Sequence, residues 1–293
     1  MEKTEIRNIL ENYHTHSNFC DGKNSLQEIA KSAYDNGFHY LGFSSHSAFP
    51  VSSDCEMHYE NFAKYKNEIA ELKDAYKNQM EILYGFEADY LPPISYPDYT
   101  FYEEHNPDYL IGSVHYVFNH EKPENGTMTV DNSVEKVAEG IEKVFLGDKK
   151  KMVQTYFDHQ RQMLKSCDFD IIGHVDLVRK RNAELNLFSE TDSWYKKEIQ
   201  ATAKEIAKAG VVIEINTGGM ARGAINTPYP SLDFLSLLRK YDVPIIFSSD
   251  AHSAENLDYG FEVATEFAKR AGYSERQYLT LEGWKTFPLL SKT

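Results

Sequence analysis

Seven times along the chain a short apolar run rich in Ile, Val, Tyr and Phe gives way to a longer segment with helical periodicity. Alternation carried from end to end marks an α/β chain, because each helix returns the backbone to the start of the next parallel strand. The runs are ILENYH (9–14), HYLGFS (39–44), EILYGFE (81–87), YLIGSVH (109–115), DIIGHV (170–175), VVIEIN (211–216) and VPIIFSS (243–249). The first intervening helix is expected to open at a capping box, Ser25 with Glu28, and to stop at Gly37. Further helices are expected over about 58–79, 132–146, 151–166, 193–209, 231–240 and 258–271. No Ser/Gly/Pro linker, solenoid repeat or low-complexity tract divides the 293 residues, so one domain, 1–293, is expected. The Pro- and Tyr-rich stretch 91–108 reads as an excursion over the mouth of a barrel.

The residues at the strand exits are not random. His14 and His16 stand at the end of the first run, two apart and therefore on one face of a strand. His46 follows the second run, Glu87 the third, His115 the fourth and His174 the fifth; Asp250 and His252 follow the seventh. In a parallel α/β barrel all strand exits lie on one rim, so six of the seven strands deliver a metal-ligating side chain to one place. The other histidines, His39, His58, His105, His120 and His159, fall at strand starts, in loops or on helices and read as surface or core residues. Nitrogen and carboxylate ligands without thiolate suit Zn, Mn or Fe, and eight such groups exceed the needs of one ion. Two to three divalent transition-metal ions are expected, with Glu87 as a bridging carboxylate.

Composition narrows the field of functions. With 41% hydrophobic and 13% aromatic residues the chain can bury a large core, while a net charge of −14 disfavours a nucleic-acid or anionic-membrane partner. Cys20, Cys55 and Cys167 include no CxxC pair and read as reduced thiols. No apolar stretch approaches the ~18 residues of a membrane span, and MEKTEIRNIL contains no signal-peptide core, which places the protein in the cytoplasm.

The HxH at 14–16, SSHS at 44–47, GFEADY at 85–90, IGSVH at 111–115, GHVD at 173–176 and DAH at 250–252 resemble the motifs of the PHP superfamily (polymerase and histidinol phosphatase). The resemblance implies a distorted (β/α)7 barrel with a trinuclear centre. His14, His16, Glu87 and Asp250 would surround one metal, Glu87, His115 and His174 a second, and Asp21, His46 and His252 a third. Asp21 enters through the resemblance alone; by itself CDG reads as a turn in which the carboxylate caps backbone N–H groups. None of the nine positions is missing. The family often has Asp where this chain has Asn12 and Ser45, a departure that bears on the orientation of the ligands.

NFCDG, GHVDLVRKRN and EINTGGMARG most resemble the free-standing histidinol-phosphate phosphatases of histidine biosynthesis. The implied reaction is hydrolysis of L-histidinol phosphate to L-histidinol and phosphate by a metal-bridging hydroxide. Arg179 and Arg222, after strands five and six, are candidates for bidentate phosphate binding, with a solvated face as the plain reading of Arg179 in its basic run. Asp21 or His46 is the candidate to protonate the leaving alkoxide. Two other functions stay open: a PHP phosphoesterase acting on another small phosphate ester, and a non-catalytic PHP-like module. The expected partner is a small phosphate ester, with no nucleic acid and no membrane; the oligomeric state is open.

Overall fold

The computed structural model describes residues 9–48 and 55–289. In chain order the strands are β1 (Glu11–Asn12), β2 (Tyr40–Phe43), β3 (Glu81–Asp89), β4 (Tyr109–Ser113), β5 (Tyr116–Phe118), β6 (Thr127–Thr129), β7 (Ile171–Ile172), β8 (Val212–Asn216), β9 (Ile245–Ser248), β10 (Glu275–Thr280) and β11 (Gly283–Pro288). Seven of them form one parallel sheet in the order β1-β2-β3-β4-β7-β8-β9. The sheet is nearly closed into a distorted (β/α)7 barrel: beyond β1 and β9, Thr15 pairs with Ala251 in a parallel bridge. There His16 N–H donates to Ala251 O (2.9 Å) and Ala251 N–H to His14 O (3.0 Å). The first strand is shorter than the apolar run suggested, because the backbone leaves ladder geometry at Tyr13.

The helices cover the outside as their periodicity dictates. Leu26–Asp35 buries Leu26, Ile29, Ala30 and Ala33, one stripe spaced three and four residues apart, and is capped reciprocally by Ser25 and Glu28. Longer helices at Phe62–Tyr76, Val134–Phe145, Lys149–Ser166, Ser193–Ala209, Leu232–Lys240 and Phe261–Arg270 lie close to the expected segments. None of the helices among the described residues is long and apolar enough to cross a membrane.

The stretch 91–108 does not lie over the mouth. It runs back along the flank as the β3–β4 crossover. Tyr99 N–H donates to Asp168 O and its hydroxyl to Asp170, both just before β7 at the entry end of the barrel, while Tyr102 stacks on Phe86. It thus fills the position that a helix takes in the other crossovers.

Inside the barrel the strand alternation divides the space in two. Tyr13, Leu83, Tyr109, Ile111, Ile171, Val212 and Ile246 form an apolar plug at the entry half. Tyr109 reaches across it to donate to Tyr13 O (2.6 Å), and only glycine fits beneath its ring: a Cβ on Gly85 would stand 2.5 Å from it. The antiparallel hairpin β10–β11, which helical periodicity did not signal, contributes Leu279 to this plug. Tyr13 hydroxyl donates to Leu279 O (2.8 Å) and accepts from Leu279 N–H (2.9 Å).

Tyr13→Phe leaves both of those buried backbone groups without a partner, which costs about 1–3 kcal/mol. An unfolding free energy from urea titration lowered by that amount, read as a downward shift of the midpoint at unchanged slope, is expected; an unchanged midpoint would show that the hairpin is held without this bond.

Candidate metal centre

The exit half of the barrel is polar, and its residues are set by four backbone devices. On β3 the alternate positions Leu83, Gly85, Glu87 and Asp89 face one side, so the strand that supplies the plug also carries a carboxylate upward. The loop after β2 continues the sheet: Glu87 N–H donates to Ser44 O and Ser47 N–H to Glu87 O, which lays His46 beside Glu87. The turn at Asp21 folds back onto the first strand, with Gly22 so close that a Cβ would stand 2.6 Å from His16 C. Asp250 adopts a left-handed backbone, φ 47°, immediately after β9. Strain of this kind persists where the surroundings impose it.

Glu87 is the hub. Its Oε2 lies 3.1 Å from His14 Nε2, 3.1 Å from His46 Nδ1 and 3.4 Å from His16 Nε2. Its Oε1 lies 3.0 Å from His174 Nε2 and 3.6 Å from His115 Nε2, and accepts the Ser113 hydroxyl at 2.7 Å. Asp250 Oδ1 is 3.3 Å from His16 Nε2 and 3.8 Å from His14 Nε2. Asp21 Oδ2 is 3.3 Å from His252 Nε2, while Oδ1 is 3.7 Å from His16 and 4.0 Å from His46. All nine residues fall into four overlapping groups with ligand atoms within 4.8 Å of one another: His16–Asp21–His46–His252, His14–His16–Asp250, His14–Glu87–His174 and His46–Glu87–His115. The groups overlap, with His14, His16, His46 and Glu87 each belonging to two of them.

The arrangement fits cations. His14 Nδ1 is 2.9 Å from Glu214 Oε2, an acceptor, so that nitrogen carries a proton, and Nε2 faces Glu87 Oε2. A ring nitrogen and a carboxylate oxygen 3.1 Å apart need a positive charge between them, a proton or a metal ion. His14 Nε2, His16 Nε2 and His46 Nδ1 are buried and make no hydrogen bond among the described residues. Two ligands each about 2.0–2.2 Å from one Zn stand about 3–3.5 Å apart, which is the spacing found here.

The electrostatics agree. Burial opposes an imidazolium at His14, yet the carboxylates of Glu87, Glu214 and Asp250 outweigh it and raise that ring well above its ordinary value. Burial likewise opposes the charge on His115, but Asp89 and Glu87 lift it to about 10. His16 goes the other way, to about 3, through burial and the neighbouring His252 and His46. Burial works against the charged form of Glu87, and His14, His46 and His115 hold it well below the usual carboxylate range nonetheless. Buried carboxylates in this number require compensating positive charge.

Residues 12–218 match the PHP domain family. The chain belongs to that family. This PHP domain is 26% identical over 273 residues to a probable histidinol-phosphatase of Schizosaccharomyces pombe, covering 88% of this chain and 86% of that one. It is 25% identical over 272 residues to the histidinol-phosphatase of Bacillus subtilis, covering 86% and 97%. Its fold is that of histidinol phosphate phosphatase from Lactococcus lactis, a structure in complex with zinc, L-histidinol and phosphate: TM-score 0.67, 19% identity, 94% of this chain and 98% of that one.

Two residues behind the ligands were not anticipated. Glu214, buried on β8, accepts from His14 Nδ1–H, from His174 N–H (2.7 Å) and from Asn216 Nδ2 (2.7 Å). Asp89 holds His115 Nδ1 at 2.8 Å. Such partners set the tautomer and aim the other nitrogen. The signal was present as a carboxylate inside an apolar strand, VVIEIN, and as a second carboxylate two residues beyond Glu87 in GFEAD.

The arginines differ from each other. Arg179 corrects the expectation of an open phosphate fork: Nε holds Glu190 (3.0 Å), Nη1 donates to Pro228 O (3.2 Å) and Nη2 to Thr227 Oγ1 (3.0 Å). With Asp176 3.7 Å away, the guanidinium of this half-buried residue is committed to tying the segment after β7 to the 227–230 turn. Arg222 lies on the cluster itself. Nη2 pairs with Asp250 Oδ2 (2.8 Å), and Nη1 stands 3.0 Å from His252 Nδ1.

Glu214→Gln would set an amide donor among three N–H groups. Metal affinity, measured by chelator competition, is expected to fall about 10–100-fold; an unaltered affinity would remove Glu214 from the orientation of His14.

Proposed function

We propose that this PHP domain hydrolyses L-histidinol phosphate to L-histidinol and phosphate. The observation that carries the reading is the buried cluster around Glu87, in which three histidine nitrogens face carboxylate oxygens with no hydrogen bond of their own. The choice of substrate is supported by the relatives: two are named histidinol-phosphatases, and the Lactococcus structure holds zinc, L-histidinol and phosphate.

His14, His16, Asp21, His46, Glu87, His115, His174, Asp250 and His252 would hold two to three divalent ions, Zn, Mn or Fe. Ions held there supply Lewis acidity to the phosphoryl oxygens and a water acidic enough to ionise near neutral pH. The chain's own residues do the rest. Glu87 spans the cluster with its two oxygens, one facing His14, His16 and His46 and the other His115 and His174. Arg222 fixes Asp250 and, with its side chain 35% exposed, presents positive charge to equatorial phosphate oxygens. Asp21 and His46 stand together at the more open side and are the groups offered to protonate the leaving alkoxide. The whole chain acts as one unit in the cytoplasm on this reading.

Chelation is expected to abolish turnover, with elemental analysis of active protein finding two to three ions per chain. Glu87→Gln should lose metal and activity together. Arg222→Ala should lower kcat/KM about 10²-fold, or about 2.7 kcal/mol of transition-state stabilisation. L-Histidinol phosphate should be hydrolysed with kcat/KM of at least ~10⁴ M⁻¹s⁻¹. Comparable rates on plain alkyl and sugar phosphates would replace this substrate with the broader phosphoesterase reading.

A further inference from the structure

Two side chains outside the ligand set join the segments that carry His46 and His115. Met57, buried, donates its backbone N–H to His46 O (3.1 Å), which seats Glu56 beside that ligand's segment. Tyr116 directly follows His115 at the start of β5. The Tyr116 hydroxyl donates to Glu56 Oε1 at 3.0 Å, so the pair spans the rim between two members of the His46–Glu87–His115 group.

Glu56 is only half engaged. Its second oxygen, Oε2, is buried and has no hydrogen-bond partner among the described residues. Burial pushes its carboxyl up and Asp89 adds to the rise, while Tyr116, the residue's own backbone N–H and His46 pull the other way. A partly buried carboxylate beside another carboxylate gains by meeting a cation.

We propose that Glu56 reads the positive charge on the tail of the phosphate ester. This inference rests on the substrate reading above, under which the tail carries an ammonium and an imidazole. The phosphate end of any monoester is held alike by the centre, so discrimination has to come from contacts to the tail. Glu56 combines the required features: negative charge, an acceptor oxygen with no hydrogen-bond partner among the described residues, and a place on the rim next to two ligand segments rather than among the ligands.

The test compares kcat/KM for L-histidinol phosphate and for phenyl phosphate, whose tail is uncharged, in wild type, Glu56→Gln and Tyr116→Phe. The amide introduced by Glu56→Gln still has a carbonyl oxygen to accept the Tyr116 hydroxyl, so this substitution removes the charge and keeps the strut. It should lower the ratio of the two substrates at least ~10-fold, mainly through KM for histidinol phosphate, with metal content unchanged. Tyr116→Phe removes the strut, keeps the charge and should affect both esters alike. An unchanged ratio in Glu56→Gln, an equal fall for both esters, or the same ratio change in Tyr116→Phe would overturn the proposal and leave Glu56 a strut. The wild-type ratio tests the substrate reading separately: without a preference for histidinol phosphate that reading fails, whatever Glu56→Gln does.

Discussion

Glu87 is a carboxylate at 1% exposure that five imidazoles approach within 3.6 Å. Removing such an anion from water is costly unless it is paired, and pairing it with neutral histidines is insufficient. Most features of the exit half follow from this demand. Asp250, Asp89 and Glu214 add negative charge near or behind the same rings, so the cluster as built needs protons or metal cations to balance it. A nine-residue strand, β3, makes the arrangement possible, because it runs from the apolar plug up to the level where the loops from its neighbours converge.

The barrel separates stability from chemistry along its own axis. Its entry half is filled by apolar side chains, sealed by Leu279 of the β10–β11 hairpin and threaded by the Tyr13–Leu279 bonds. The exit half is filled by titratable groups whose mutual repulsion would loosen a fold that had nothing else to hold it. On β3 alternation puts Leu83 of the plug and Glu87 on the same inner face, and the other candidate ligands follow the ends of strands that the plug holds in place. That coupling explains why β3 reads apolar at Leu83 and acidic at Glu87.

The two arginines illustrate how neighbours decide the use of a side chain. Both carry the same planar fork, and both follow barrel strands. Glu190, Asp176 and two loop acceptors claim Arg179 before any ligand arrives. Arg222 instead meets Asp250, so its charge is part of the balance of the centre and its outer edge faces the opening.

Much of this was legible in the order of residues alone. Strand and helix segments follow from hydrophobic period, which is a local property, and a parallel barrel converts strand exits into one rim; those two facts were enough to gather His14, His16, His46, Glu87, His115, His174, Asp250 and His252. Asp21 needed the family resemblance, because a turn aspartate is ambiguous until Gly22 is seen to pack on His16. The flank path of 91–108 and the partners of the outer imidazole nitrogens were decided only in three dimensions, as were the overlap of the ligand groups and the opposite fates of Arg179 and Arg222. The physical reason is that period and spacing specify which way a side chain points from its own strand. What it meets there depends on a closure between residues 15 and 251, and on loops whose course no local pattern encodes.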